Sequence, residues 1–267
     1  MDSGNLNKDG IVIHKLDDFQ GMRSACELAA NTLDMISDYV QPGVTTESLD
    51  SLCHDYILDH GAVPATLGYR GFPKSSCISI NHVVCHGIPG PKILKEGDIL
   101  NIDVTAILNG WHGDSSRMYL SGNVSKKAFR LIEVTHEALM RAIAVVKPGN
   151  TFGDIGYAIQ SFVEPKKMSV VKDFCGHGLG RVFHSSPNVL HFGKRKTGAV
   201  IEAGMFFTIE PMVNLGKAET KILSDSWTAV TRDKSLSAQF EHSVGVLDHG
   251  VEVFTLSKLG KFFPNRE

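Results

Sequence analysis

Apolar residues recur at helical spacing over residues 18–40 and again over 127–146, and both runs stop at a proline–glycine pair, Pro42-Gly43 and Pro148-Gly149. Behind each stop come a threonine and a second helix-like segment. Pro42, Gly43, Thr45 and Leu49 therefore fall on Pro148, Gly149, Thr151 and Ile155 at a constant offset of 106. The correspondence continues with Cys77, His86 and Pro89 on Cys175, His184 and Pro187 at an offset of 98, and with Gly97, Ile102 and Asp103 on Gly204, Ile209 and Glu210 at 107. Helix, helix, a histidine-bearing segment and an acid-bearing strand thus occur twice. This order predicts two similar halves about a pseudo-twofold axis, roughly 18–120 and 127–250, within one catalytic domain spanning 1–267. The expected fold class is α+β, with a curved antiparallel sheet covered by helices on its outer face.

Late in the first half, NIDVTAILNGWHGD carries the Asn109-Gly110 pair that favours a two-residue hairpin turn. Counting back from it, residue 108 opposes 111, Thr105 opposes Asp114 and Asp103 opposes Ser116. Asp103 and Asp114 then share one face as diagonal neighbours, about 7 Å apart. Two carboxylates so placed in an apolar strand are costly to keep charged without a cation. Glu210 in MFFTIEPMV and Glu241 in LSAQFEHSVGV repeat the anomaly, so three apolar strands carry buried acids with no Lys or Arg inside them. Hard oxygen donors in such number point to a cation site, and His177, flanked by Gly176 and Gly178, is the best nitrogen donor for it. Four carboxylates and one imidazole suit a pair of ions that activates a water for hydrolysis. The donor types favour Mn, Fe, Co or Zn without choosing among them.

Most of the other histidines read as bland. His242 alternates away from Glu241 as a core residue, His112 is read as alternating away from Asp114, and His14, His54, His60, His136 and His249 read as surface; the pattern leaves His82 and His191 undecided. His86 and His184 stand apart because they occupy equivalent places in the two halves. If both face one cleft, their imidazoles reach a bound substrate as proton donors or hydrogen-bond partners.

A formal net charge of -2 and the absence of any basic block argue against nucleic acid or an anionic membrane as main partner. The polar start MDSGNLNKDG and the lack of a long apolar run predict neither a signal peptide nor a span, hence a cytoplasmic protein. Five scattered cysteines without CxxC spacing read as reduced thiols. No heptad or long apolar stripe asks for a second copy, so a monomer is expected.

Asp103, Asp114, His177, Glu210 and Glu241, in that order, match the five metal ligands of the pita-bread metallopeptidases. The strings KSSCISINHVVCHGIP, NIDVT, HGDSS, CGHGLGRVFH, FTIEPM and SLSAQFEHSV resemble the type I methionine aminopeptidases of the short bacterial kind over residues 14–256. The resemblance implies the pita-bread fold and two divalent ions, one on Asp103 and Asp114, the other completed by His177 and Glu210, with Asp114 and Glu241 bridging. It implies Glu210 as proton shuttle, His86 near the scissile amide and leaving amine, and His184 bonded to the substrate peptide group. Tyr69, Phe72, Cys77, Phe183 and Trp227 match the apolar methionine pocket, where a thioether fits well. Thr66 stands where relatives often have cysteine and Phe72 where tyrosine is common, which leaves the pocket's polarity open. A monovalent cation on Asn81, Val83 and Ser237 is a further implication. The expected activity removes initiator methionine from nascent polypeptides when the second residue is small, with weak, surface-mediated ribosome contact at most. An X-Pro aminopeptidase or prolidase sharing the ligand set, or a non-enzymatic binding protein of the same fold, are the alternatives.

Overall fold

The computed structural model describes residues 5–264. Helix α1 (Leu16–Ile36) turns its apolar face, Phe19, Met22, Ala25, Cys26, Ala29 and Leu33, inward and loosens into a single 3-10 turn before Pro42. Helix α2 (Thr46–Asp59) starts at Thr45, whose hydroxyl oxygen accepts the Ser48 amide hydrogen at 3.2 Å. Helix α3 (Lys126–Ala144) starts likewise at Ser125, and α4 (Phe152–Val163) at a capping box of Thr151 and Asp154. Gly43 and Gly149, the residues after the two proline stops, adopt φ of 93° and 89°. They donate to Leu94 and Ile201 at 2.9 and 3.0 Å. Thr45 bridges Ile93 as Thr151 bridges Val200, and Gly97 and Gly204 share φ of 87°.

The long hairpin Asp98–Leu108 and Trp111–Ser121 turns at Asn109-Gly110, both left-handed, and pairs Leu108 with Trp111, Thr105 with Asp114 and Asp103 with Ser116, the register counted from the turn. Strand Cys77–Ile80 flanks it on the other side of Asp98–Leu108. In the second half, Gly176–Gly178 flanks Phe206–Ile209, which pairs with His242–Leu247, and all these pairings are antiparallel. Helices α1 and α2 close one core on Leu49, Ile78, Leu100, Ile102 and Val104; α3 and α4 close a larger one on Phe207, Ile209, Val244 and Val246. This is the expected mixed fold with helices over antiparallel strands. Glu210 and Glu241 differ from the expectation in one respect. They sit at breaks between strands, after Phe206–Ile209 and before His242–Leu247, where the chain is free to turn the carboxylate inward.

Close approach of helix to hairpin depends on Gly113: a Cβ there would meet the Ala25 carbonyl oxygen at 2.1 Å. His14, read from its polar context as surface, is buried instead, stacked on Phe206 with centroids 4.1 Å apart. The strand Trp111–Ser121 is further anchored by Arg117, whose guanidinium is buried against Asp34 of α1 and also donates to the Lys261 and Ala30 carbonyls. Ser257 completes the Asp34 shell at 2.8 Å. Removing one member of a buried pair strands the other charge, so Asp34→Ala is expected to lower stability by about 3–5 kcal/mol in chemical denaturation. A loss under about 1 kcal/mol would mean that water reaches Arg117 readily.

Candidate active site

The two halves meet where Glu241 donates its amide hydrogen to the Ser116 carbonyl oxygen at 3.0 Å. Two buried serines stitch the same seam: Ser115 donates to the Glu241 carbonyl at 2.9 Å and Ser243 to the Asp114 carbonyl at 2.6 Å. Asn101 adds a bond to the Gln239 carbonyl at 2.9 Å. The strands of both halves thereby aim their acids into one cavity of about 530 Å³, lined by Asp103, Asp114, His177, Glu210 and Glu241.

Asp114, His177 and Glu241 each offer a ligand atom within 4.8 Å of the other two. His177 Nε2 lies 3.5 Å from Asp114 and 3.7 Å from Glu210. The opposite ring nitrogen, Nδ1, is 3.2 Å from the Gly178 carbonyl, so donation there leaves Nε2 as a lone pair facing the acids. The flanking glycines are required by space, since a Cβ on Gly176 would meet the Thr208 carbonyl at 2.4 Å and one on Gly178 the Ser186 carbonyl at 2.0 Å.

Burial and mutual repulsion hold the acids far from their ordinary state. Asp103 is raised well above the carboxylate range by burial, then by the charges of Asp114 and Glu210. Glu241 is raised by burial and by Asp114, and Glu210 is pushed up to about 7, mainly by burial. His177 is opposed by burial but raised on balance, through its bond to Asp114 and the charge of Glu210. A cluster that holds protons so firmly in the absence of positive charge is matched to divalent cations, which displace those protons.

The neutral donors around the acids were not singled out from sequence. Thr105 bonds Asp114 at 2.7 Å, Thr208 bonds Glu210 at 2.8 Å and Gln239 bonds the other Glu210 oxygen at 3.2 Å. Each stands two positions from an acid, Asp103, Glu210 or Glu241, so period-two counting could have found them. His191 had no such signal. Fully buried, it accepts the Glu210 amide hydrogen through Nε2 at 3.2 Å. His112, read as pointing away from Asp114, in fact shares its face, because residues two apart on a strand do. Its ring stacks on Phe183 at 5.6 Å and its Nδ1 lies 3.0 Å from the Gly180 carbonyl.

His86 and His184 both line the cavity, as do Thr66, Tyr69, Phe72, Cys77, Phe183 and Trp227. Phe72 meets Trp227 edge to face at 5.2 Å, and Trp227 meets His86 at 5.9 Å. Tyr69 stacks on His184 at 5.1 Å and packs against Phe183 at 4.8 Å. Burial lowers the His86 imidazole, and desolvation with the charge of His177 pushes His184 down to about 4, so both rings are neutral near pH 7. The Thr66 hydroxyl donates to the Ser75 carbonyl at 2.6 Å and is thereby occupied. Asn81 and Ser237 lie together apart from this cavity, the Ser237 amide donating to the Asn81 carbonyl at 2.8 Å, with Val83 two residues on.

A fold of two stitched halves around buried acids and one imidazole defines a metal-dependent hydrolase site, and known proteins agree. The family model for metallopeptidase family M24 matches residues 20–248. The methionine aminopeptidase of Rickettsia prowazekii is 60% identical over 249 residues, 92% of this chain and 96% of that protein. That of Escherichia coli K12 is 53% identical over 250 residues, covering 93% and 95%. The crystal structure of methionine aminopeptidase from Rickettsia prowazekii superposes with a TM-score of 0.92 at 59% identity, covering 92% of this chain and all of that one. The chain belongs to metallopeptidase family M24, in its methionine aminopeptidase branch, and is a metal-dependent exopeptidase. The matches favour neither a proline-specific peptidase nor a non-enzymatic protein of the same fold.

A folded-state pKa above the unfolded value makes the Glu210 proton a source of stability at low pH that is lost as pH rises from about 4.5 toward 7. The raised His177 acts in the same direction, its contribution falling as pH passes above 6.5. Divalent ions bound by these groups would replace those protons. The increase in Tm on adding Mn(II) to EDTA-treated protein is therefore expected to be larger at pH 7.5 than at pH 5.5. The buried neutral His191 and His242 pull the other way, but equally with and without metal. An increase independent of pH would show that the acids are already ionised in the metal-free protein.

Proposed function

We propose that this protein removes the amino-terminal methionine from nascent polypeptides whose second residue is small, acting in the cytoplasm as a monomer on two divalent ions drawn from Mn, Fe, Co or Zn. The observation that carries the reading is the junction of an aromatic pocket with the acid–imidazole cluster inside one cavity. Tyr69, Phe72, Cys77, Phe183 and Trp227 with the methyl-bearing Thr66 offer a flexible thioether dispersion contacts on several sides. Asp103, Asp114, His177, Glu210 and Glu241 would hold the divalent ions, which would supply an activated water and Lewis acidity toward the first peptide carbonyl.

The chain's own groups do the rest. Thr208, Gln239 and His191 hold Glu210 from three directions, so its carboxylate can take a proton from the attacking water and pass it to the leaving amine without losing its place. Bound cations lower the Glu210 carboxyl again, so this role rests on position rather than on its metal-free pKa. His86, edge on to Phe174 at 5.4 Å, and His184, against Tyr69, face the space beyond the acids as neutral rings. One is placed to donate toward the leaving amine and the other to the peptide group. Asn81, Val83 and Ser237 are proposed to hold a monovalent cation that braces the strands behind the cavity. Weak surface contact with the ribosome fits a net charge of only -2.

Metal-loaded protein is expected to release free methionine from Met-Ala-Ser and to leave Ala-Pro peptides intact, read by amino-acid analysis. Asp103→Ala and Glu241→Ala should each abolish both Mn(II) binding and turnover. His184→Ala should lower kcat/KM on the order of a hundredfold with metal binding retained. Full activity in Asp103→Ala would overturn the two-ion reading, and cleavage only before proline would reassign the substrate.

A further inference from the structure

The cavity opens beside a short turn, residues 66–72, whose backbone is tied to itself. Gly68 donates to the Phe72 carbonyl at 2.8 Å, Tyr69 to Thr66 at 3.0 Å, Gly71 to Gly68 at 3.1 Å and Phe72 to Tyr69 at 2.9 Å. Inside it Arg70 is held in the left-handed region at φ 48°, ψ 29°, a conformation rare for a long side chain and imposed here by the surrounding bonds. The consequence is a division of labour between neighbours. Tyr69 points into the cavity and stacks on His184, while Arg70 stays exposed on the cavity wall with its guanidinium carbon 5.3 Å from the Tyr69 ring.

Arg70 makes no hydrogen bond or ion pair among the described residues, although its charge is felt at His184. The other exposed residues on the cavity wall are His184, Ser186 and Asn188, and Asp173, whose carboxylate accepts the Thr220 hydroxyl and makes no ion pair with Arg70. The mouth therefore carries one guanidinium with no ion-pair partner among the described residues, beside a carboxylate that does not reach it. On the reading given under Proposed function, on which this inference rests, the methionine lies innermost and the third and following residues pass that cation on the way out.

We propose that Arg70 is a specificity-determining residue that favours substrates carrying a carboxylate at the third or fourth position, whether an Asp or Glu side chain or the C-terminus of a short peptide. No bond is made or broken at Arg70; it adds an ion pair that strengthens binding of the extended chain. An exposed pair of this kind supports a preference of about two- to fivefold in kcat/KM, falling as salt screens it.

The test uses the metal-loaded full chain and the C-terminally amidated peptides Met-Ala-Glu-Gly, Met-Ala-Gln-Gly and Met-Ala-Lys-Gly. The Glu-to-Gln ratio of kcat/KM within each variant cancels effects on the chemistry itself. It is expected at two to five for the natural chain in low salt and near one in 0.5 M salt. Arg70→Lys should keep the preference, Arg70→Gln should bring the ratio to one, and Arg70→Glu should turn it toward the Lys peptide. Comparison of Met-Ala-Gly as free acid and as amide separates the C-terminal carboxylate from the side-chain source. A ratio of one in the natural chain, or a preference that survives in Arg70→Gln, would overturn the proposal while leaving the aminopeptidase reading intact. Absence of turnover on every peptide would sink that reading and this proposal with it.

Discussion

Asp103, Asp114, Glu210 and Glu241 repel one another at close range in a place where water screens little, and the rest of the structure answers to that repulsion. Burial alone raises Asp103, Glu210 and Glu241, and their neighbours' charges raise Asp103 and Glu241 further. Only part of the strain is relieved from within, by Thr105, Thr208, Gln239 and the His177 ring. The remainder would be relieved by positive charge from outside the chain, which fits the membership of a metallopeptidase family. A fold that keeps such a cluster in place in the absence of cations needs stability from elsewhere, and two separate helix-covered cores supply it.

The acids come from both halves, so the seam has to be rigid. Ser115, Ser243 and Asn101 are buried and all bond across it, next to the Ser116–Glu241 pairing. None of these bonds is to an acid side chain; they hold the main chain on either side of the carboxylates. The same logic explains Gly113, Gly176 and Gly178. Each permits a backbone to approach where a methyl group would push Asp114 or His177 out of line.

Local rules reached far where the relevant partner lies close in sequence. The Asn109-Gly110 turn sets the hairpin register by itself, and the register places Asp103 and Asp114 on one face. The same rule, applied to His112, would have kept it with Asp114, and period-two counting would have picked out Thr105, Thr208 and Gln239. His14 was beyond such rules, because the ring that covers it, Phe206, comes from a strand nearly two hundred residues away. His191 was beyond them for the same reason, its partner being the Glu210 amide on a different strand.

By itself the sequence determined the helices with their proline–glycine stops, the hairpin register, the acids out of place in apolar strands and the histidine between glycines, since each follows from steric or hydration preferences acting over a few residues. It also contains the ordered motif set that marks the family. Only the tertiary structure decided that Glu210 and Glu241 sit at strand breaks, that His191 braces the Glu210 main chain, that the Thr66 hydroxyl is occupied by Ser75, and that Arg70 stands at the mouth without an ion-pair partner among the described residues. Those outcomes depend on which distant surfaces come to face one another, and that is settled by burial of the two cores and by the polar bonds across the seam rather than by any local preference of the chain.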